Sequence, residues 1–382
     1  MKRKKTVFYS FCVGIVLMAV GGVYVFKNIP LRTAIFRTFV QGNWSIFSEK
    51  DTLYTLGYYG VKKYLSSDEL VELVSNEELC ENTFVGRLIA RGGDIYDSCV
   101  YVSCRSYLPG SLELDDKDYI NGILYVLNKN DLTVINRYQS DIKLVSAKVF
   151  KKKLIVSGLN GFDIYDLEYP NKPNRIFEYR HDSYTEFQDI ACFETDSVSY
   201  VAFSRFKEGI SIWDITIPEK TRHVKDLYLD ELSLDINTAG LQCFSLISTP
   251  PLCYVTLAPT IDIFNSDNDN RGVLVLDFTN INDIKSHLSL IPRNEWYKRK
   301  IGDPPPSYID VFEDKLYVNF GEKGIAVFSL EDPKMPHFLR IVDVSEGSYI
   351  QPIHINYRGL LYGGDYYWPD IYEIELDGNK SM

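Results

Sequence analysis

Methionine is scarce in this chain, at 4 of 382 residues, and apolar residues at helical spacing are missing from most of its length. Both absences argue against a helical bundle. Histidine is nearly as rare: His181, His223, His287, His337 and His354 show no pair four apart with an intervening glutamate, and no Cys-x-x-Cys occurs. The familiar zinc motifs are therefore excluded. Gly-x-Ser-x-Gly, a phosphate-cradling glycine loop and a dinucleotide fingerprint are absent too, so no standard motif supports catalysis. Basic charge is also short, with 41 Lys and Arg against 52 Asp and Glu. Such a field repels phosphate backbones and makes nucleic acid a poor partner.

What the chain does have is aromatics, 28 Tyr and 21 Phe, which suit pleated, half-buried strands. A long apolar run occurs once. Lys2, Arg3, Lys4 and Lys5 precede an uncharged stretch from Val7 to Phe26, closed by Lys27. Twenty such residues cross a hydrocarbon core of ~30 Å as a helix. With the basic cluster kept in the cytoplasm, residues 1–27 read as a transmembrane signal anchor, 28–33 as a linker and 34–382 as a domain outside the cytoplasm, in the periplasm or at the cell surface. A cleaved signal peptide is the rival reading, since Ala19, Val20 and Gly21 offer small residues at cleavage spacing. Six cysteines follow the run: Cys80, Cys99, Cys104, Cys192, Cys243 and Cys253. An even count permits disulfides without assigning them, although Cys99 and Cys104, five apart in an extended strand, lie ~17 Å apart and cannot join.

One phrase recurs along the domain: glycine, an apolar run, a polar residue five after the glycine, then often proline. It reads Gly161-Phe-Asp-Ile-Tyr-Asp166 with Pro170 and Pro173, Gly209-Ile-Ser-Ile-Trp-Asp214 with Pro218, Gly272-Val-Leu-Val-Leu-Asp277, and Gly324-Ile-Ala-Val-Phe-Ser329 with Pro333 and Pro336. Copies in outline start at Gly60, Gly122 and Asp370, where Glu375 takes the fifth place. The glycine is expected to open a strand at a tight turn, and the Asp to accept backbone amides just after it. A second short strand precedes each copy, as in Lys153 to Ser157 or Lys315 to Asn319. The unit is a small antiparallel sheet.

This phrase resembles the LVIVD-repeat family, whose repeats form propeller blades in exported proteins. Residues 161–173 and 324–336 carry the match; Ser329, Leu127 and Leu65 depart from its Asp. The resemblance implies a fold and almost nothing about activity. Seven starts spaced 39 to 63 residues apart fit an all-β, seven-bladed propeller of four-stranded blades, near 44–78, 83–139, 144–180, 187–229, 240–291, 307–344 and 350–378. Ala34 to Val40 is expected to lend a strand to the last blade and so close the ring.

Aligning blades on their second strands places Asp94, Lys148, Asp189, Asp310 and His354 on first strands, which line the central channel. They form either a polar floor at the channel mouth for a cation or polar ligand, or ordinary strand starts facing water. Trp296, Tyr366, Tyr367 and Trp368 lie in long irregular segments on the same face, as rim contacts or seam packing. Asn265, Asp267 and Asp269 alternate like the start of a calcium loop but lack its later glutamate, so either a bound calcium or a solvated hairpin tip is possible, and no other cofactor is indicated. The expected function is a membrane-tethered binding module for a protein, peptide or glycan partner. The alternative is a carbohydrate-active enzyme at the channel mouth using paired carboxylates.

Overall fold

The computed structural model describes residues 43–57, 60–66, 69–74, 87–107, 122–259, 270–292, 308–319, 324–342, 350–365 and 371–374. These build seven antiparallel sheets in chain order. Blades 1 to 6 span 43–74, 87–140, 144–180, 189–227, 241–290 and 309–342, each with four strands; blade 7, 350–374, shows three among the described residues. The domain is a seven-bladed β-propeller. The segment at 7–26 and the closing strand expected at 34–40 lie outside the described residues, as do Cys12 and Cys80. Among the described residues, no helix is long and apolar enough to cross a membrane.

The sequence pattern explains the sheets. Third strands such as Gly161–Asp166 and Gly272–Asp277 are buried almost throughout, because they are sandwiched between neighbouring blades. Fourth strands such as Val134–Ser140 alternate exposed and half-buried residues, as an outer edge requires. At three of the repeat glycines the controlling feature is close approach. A Cβ on Gly161, Gly209 or Gly272 would sit 2.0 to 2.1 Å from the carbonyl oxygen of Tyr179, Leu227 or Ser289 on the fourth strand. Gly209 also has φ +80°. The expected role of the Asp holds at two copies: Thr216 N–H donates to Asp214 at 3.0 Å and Thr279 N–H to Asp277 at 2.9 Å.

The core is divided among the gaps between blades, one apolar cluster in each. Between blades 3 and 4, Phe162 packs within 5.0 Å of Trp213 and 4.6 Å of Phe203 by ring centroids. Each such fully buried side chain contributes about 1.5–3 kcal/mol. The seam between blade 7 and blade 1 is filled by Ile46, Leu53, Tyr64 and Tyr362, so the last blade packs directly on the first. Tyrosine latches add polar closure: Tyr101 donates to the Pro170 carbonyl at 2.8 Å and Tyr254 to the Pro333 carbonyl at 3.0 Å, each reaching the proline turn of the next blade. Those prolines thus sit in the turn from third to fourth strand and receive the neighbouring blade.

Candidate functional site in the central channel

First strands lie innermost: Asn43–Glu49, Arg87–Tyr96, Leu144–Phe150, Asp189–Thr195, Leu241–Thr249, Ile309–Phe312 and Ile350–Ile355. They enclose a cavity of about 430 Å³ to which all seven blades contribute. Lys148, Asp189, Asp310 and His354 line it, and Asp94 stands beside Lys148 with its carboxylate 3.7 Å from the ammonium.

Depth differs from the sequence expectation in two ways. Asp94, Lys148 and Asp310 pair with Tyr101, Ile155 and Tyr317, two pairs in from the hairpin that joins first to second strand. They therefore form a belt inside the channel, toward the hairpin face, and do not ring the opposite mouth. Asp189 pairs with Ser204 at the start of its strand. With Asp214, Tyr200 and Phe193 set level with Asp166, Lys153 and Phe150 of blade 3, Ala191 holds the level of Lys148, so Asp189 lies about 7 Å nearer the other face.

The three carboxylates share one arrangement. Each accepts the next residue's own N–H on one oxygen and a donor from the following blade on the other. For Asp94 these are Ile95 N–H at 2.9 Å and Val149 N–H at 2.8 Å. Asp310 accepts Val311 N–H and Ile355 N–H, both at 2.8 Å. Asp189 accepts Ile190 N–H at 2.8 Å, Leu246 N–H at 3.1 Å and the Ser245 hydroxyl at 2.6 Å. These groups join blade 2 to 3, 4 to 5 and 6 to 7. Burial pushes the Asp189 carboxyl up, against the pull of Ser245 and the two amides.

Lys148 is the group left facing the channel, with 54% of its side chain open to channel solvent. Asp94 holds its ammonium pKa up, helped by Cys192, Asp189 and Asp310 and opposed by burial. The neighbouring Cys192 thiol is pushed up to about 12 by burial. His354 bridges blades: its Nδ1 lies 3.1 Å from Asp310 Oδ2 and its Nε2 lies 2.7 Å from the Ser48 hydroxyl on blade 1.

Toward the other end, the sequence had not singled out Trp44, Arg91 and Tyr308. The Arg91 guanidinium lies 3.8 Å from the centre of the Trp44 ring, and the Tyr308 hydroxyl donates to the Trp44 carbonyl at 2.6 Å. Trp44 and Arg91 each stand three residues before the belt level of their strands, a signal that alignment of first strands would have caught. Trp296, Tyr366, Tyr367, Trp368, Asn265, Asp267 and Asp269 lie outside the described residues. Among the described residues no cluster of His, Cys, Asp and Glu is arranged to hold a metal ion. Among the described residues, Cys99, Cys192, Cys243 and Cys253 are free thiols.

No protein-family model matches the chain, and no curated protein matches it. Among solved structures it is similar to the crystal structure of the computationally designed Ika8 protein, at 9% sequence identity, over 87% of this chain and 83% of that one, with a TM-score of 0.52. That likeness bears on fold alone.

Proposed function

We propose that this propeller is a binding module that takes a polar group of a protein, peptide or glycan partner into its channel, past Trp44, Arg91 and Tyr308 and toward Lys148. The observation that carries this reading is the contrast between Lys148 and its neighbours. An exposed ammonium can receive a carboxylate, sulfate or carbonyl oxygen from a ligand, whereas both oxygens of Asp94, Asp189 and Asp310 are already engaged in holding blades together. Carboxylates so occupied are poor general acids and bases, which weakens the carbohydrate-active alternative. Trp44 and Arg91 add an aromatic face and a second cation at the way in.

The glycine-initiated third strands and the seven-bladed fold support membership of the LVIVD-repeat class. The basic cluster and apolar run at residues 2–27 support a retained membrane anchor with the propeller outside the cytoplasm. Protease added to spheroplasts should remove the propeller and leave a small membrane-bound stub; a soluble mature protein beginning near Gly22 would show cleavage instead. For binding, the full chain in detergent is screened on peptide and glycan arrays, and hits are re-measured with Lys148→Met. Loss of binding at unchanged melting temperature supports the channel as the site, and hits indifferent to Lys148 contradict it.

A further inference from the structure

At the belt level, blades 2, 6 and 7 each present one side chain to the following blade. Asp94 meets the Val149 N–H and Asp310 meets the Ile355 N–H. Between blade 7 and blade 1 the presenting residue is His354, and what it meets is the hydroxyl of Ser48. His354 is itself held through Nδ1 by Asp310, whose carboxylate is fixed by two backbone amides. The order is carboxylate, imidazole, hydroxyl, with separations of 3.1 and 2.7 Å. With the proton on Nδ1 facing Asp310, Nε2 carries the lone pair that accepts from Ser48.

We infer that Ser48, His354 and Asp310 form a nucleophilic relay that attacks a carboxylic ester brought to the seam between blades 7 and 1. Ser48 Oγ bonds to the ester carbonyl carbon while its proton passes to His354 Nε2. The bond from that carbon to the leaving oxygen breaks, and the departing alcohol takes the proton from Nε2. Water then repeats the sequence on the acyl-Ser48 and releases the acid. Asp310 is a positioning residue that fixes the tautomer and steadies the imidazolium.

Two further features favour chemistry over a purely structural bond. Ser48 and His354 are half-buried, neither sealed in a core nor fully solvated. Ser48 also sits one pair in from the hairpin turn, facing Leu53, as Val149 faces Leu154. At Val149 that position sends the N–H out of its own sheet, to Asp94. By the same antiparallel alternation the Ser48 N–H points toward the preceding blade, beside its own hydroxyl, where it can donate to an oxyanion on the attacked carbon. Ser248 supplies an internal comparison. It holds the same place in blade 5, facing Cys253, but its hydroxyl donates to the Cys192 carbonyl and no imidazole meets it.

This inference stands apart from ligand capture by Lys148, and its test does not depend on it. The full chain is treated with a small alkyl fluorophosphonate, which traps such a serine as Oγ–P forms and P–F breaks, and labelled peptides are identified by mass. Hydrolysis of p-nitrophenyl acetate is followed in parallel. Label is expected on Ser48 and not on Ser248, with none in Ser48→Ala and a rate at least about 100-fold lower in His354→Ala. Asp310→Asn, assayed below its own melting temperature, should slow labelling at least about tenfold. An unlabelled Ser48 in the folded wild-type chain, equal labelling of Ser248, or an undiminished rate in His354→Ala would overturn the relay.

Discussion

Replacing Asp189 by alanine removes an acceptor that three donors share across two blades. Ile190 N–H, Leu246 N–H and the Ser245 hydroxyl lose a partner at 2.8, 3.1 and 2.6 Å. Hydrogen bonds to a charged acceptor contribute about 1.5–3 kcal/mol each when broken one at a time, and neutral ones about 1. Two effects reduce the sum. Burial already pushes the carboxyl up, so keeping it ionised has a cost that the substitution relieves, and channel water can reach part of the vacated space. The expected loss is about 2–3 kcal/mol. The urea midpoint of the full chain, followed by both tryptophan fluorescence and far-UV circular dichroism, measures it, and coincidence of the two probes checks that one transition is being read. Ser245→Ala in the Asp189→Ala background should then cost about 1 kcal/mol less than it does alone, because the bond it breaks is already gone. A loss below about 0.5 kcal/mol, or full additivity of the two changes, would refute the idea that this carboxylate joins blade 4 to blade 5.

Tyr101→Phe and Tyr254→Phe should each destabilise by about 1 kcal/mol, since each removes a latch to the next blade's proline turn and leaves a carbonyl without its donor, with thermal melts as the readout. The Asp277 carboxyl is held at about 2, with its oxygens taken by Lys334, the Thr279 hydroxyl and the Thr279 amide, which outweigh burial. A depressed carboxyl stabilises above its ordinary pKa and loses that contribution as pH falls from near 3.8 through about 2. Urea midpoints of wild type and Asp277→Asn should therefore differ by about 1 kcal/mol at pH 6, after allowance for solvent screening at this rim, and converge as pH falls below about 2. Cys243 and Cys253 are fully buried with thiols pushed up by burial, so iodoacetamide should leave both unmodified in the native protein and alkylate both in urea.

Blade boundaries were most legible in blades 3, 4 and 5, where the repeat glycine marks a steric need, the close pass of the fourth strand. The belt was legible where the hairpin is short. Counting back seven residues from Tyr101, Ile155 and Tyr317 reaches the paired residue because a two-residue turn fixes the register. Blade 4 breaks the count because its hairpin is longer: the repeat residue Asp214 pairs with Tyr200, two residues past the start of the second strand, whereas Asp166 pairs with Lys153 at the turn itself. What the belt carboxylates bind was not legible, since their partners are backbone amides, which any residue supplies. The Ser48 to His354 bond was hidden for another reason. It joins residues 306 apart across the ring's closing seam, where no local spacing connects them.

The most direct test of the channel as the binding site is an isothermal titration of the full chain and of Lys148→Met with the tightest peptide or glycan found on the arrays. The account predicts at least about tenfold weaker binding by the variant, roughly 1.4 kcal/mol, at an unchanged melting temperature, with Asn171→Ala on the opposite-face turn binding as wild type does. Equal affinity of Lys148→Met and wild type, or loss of binding in Asn171→Ala, would contradict it.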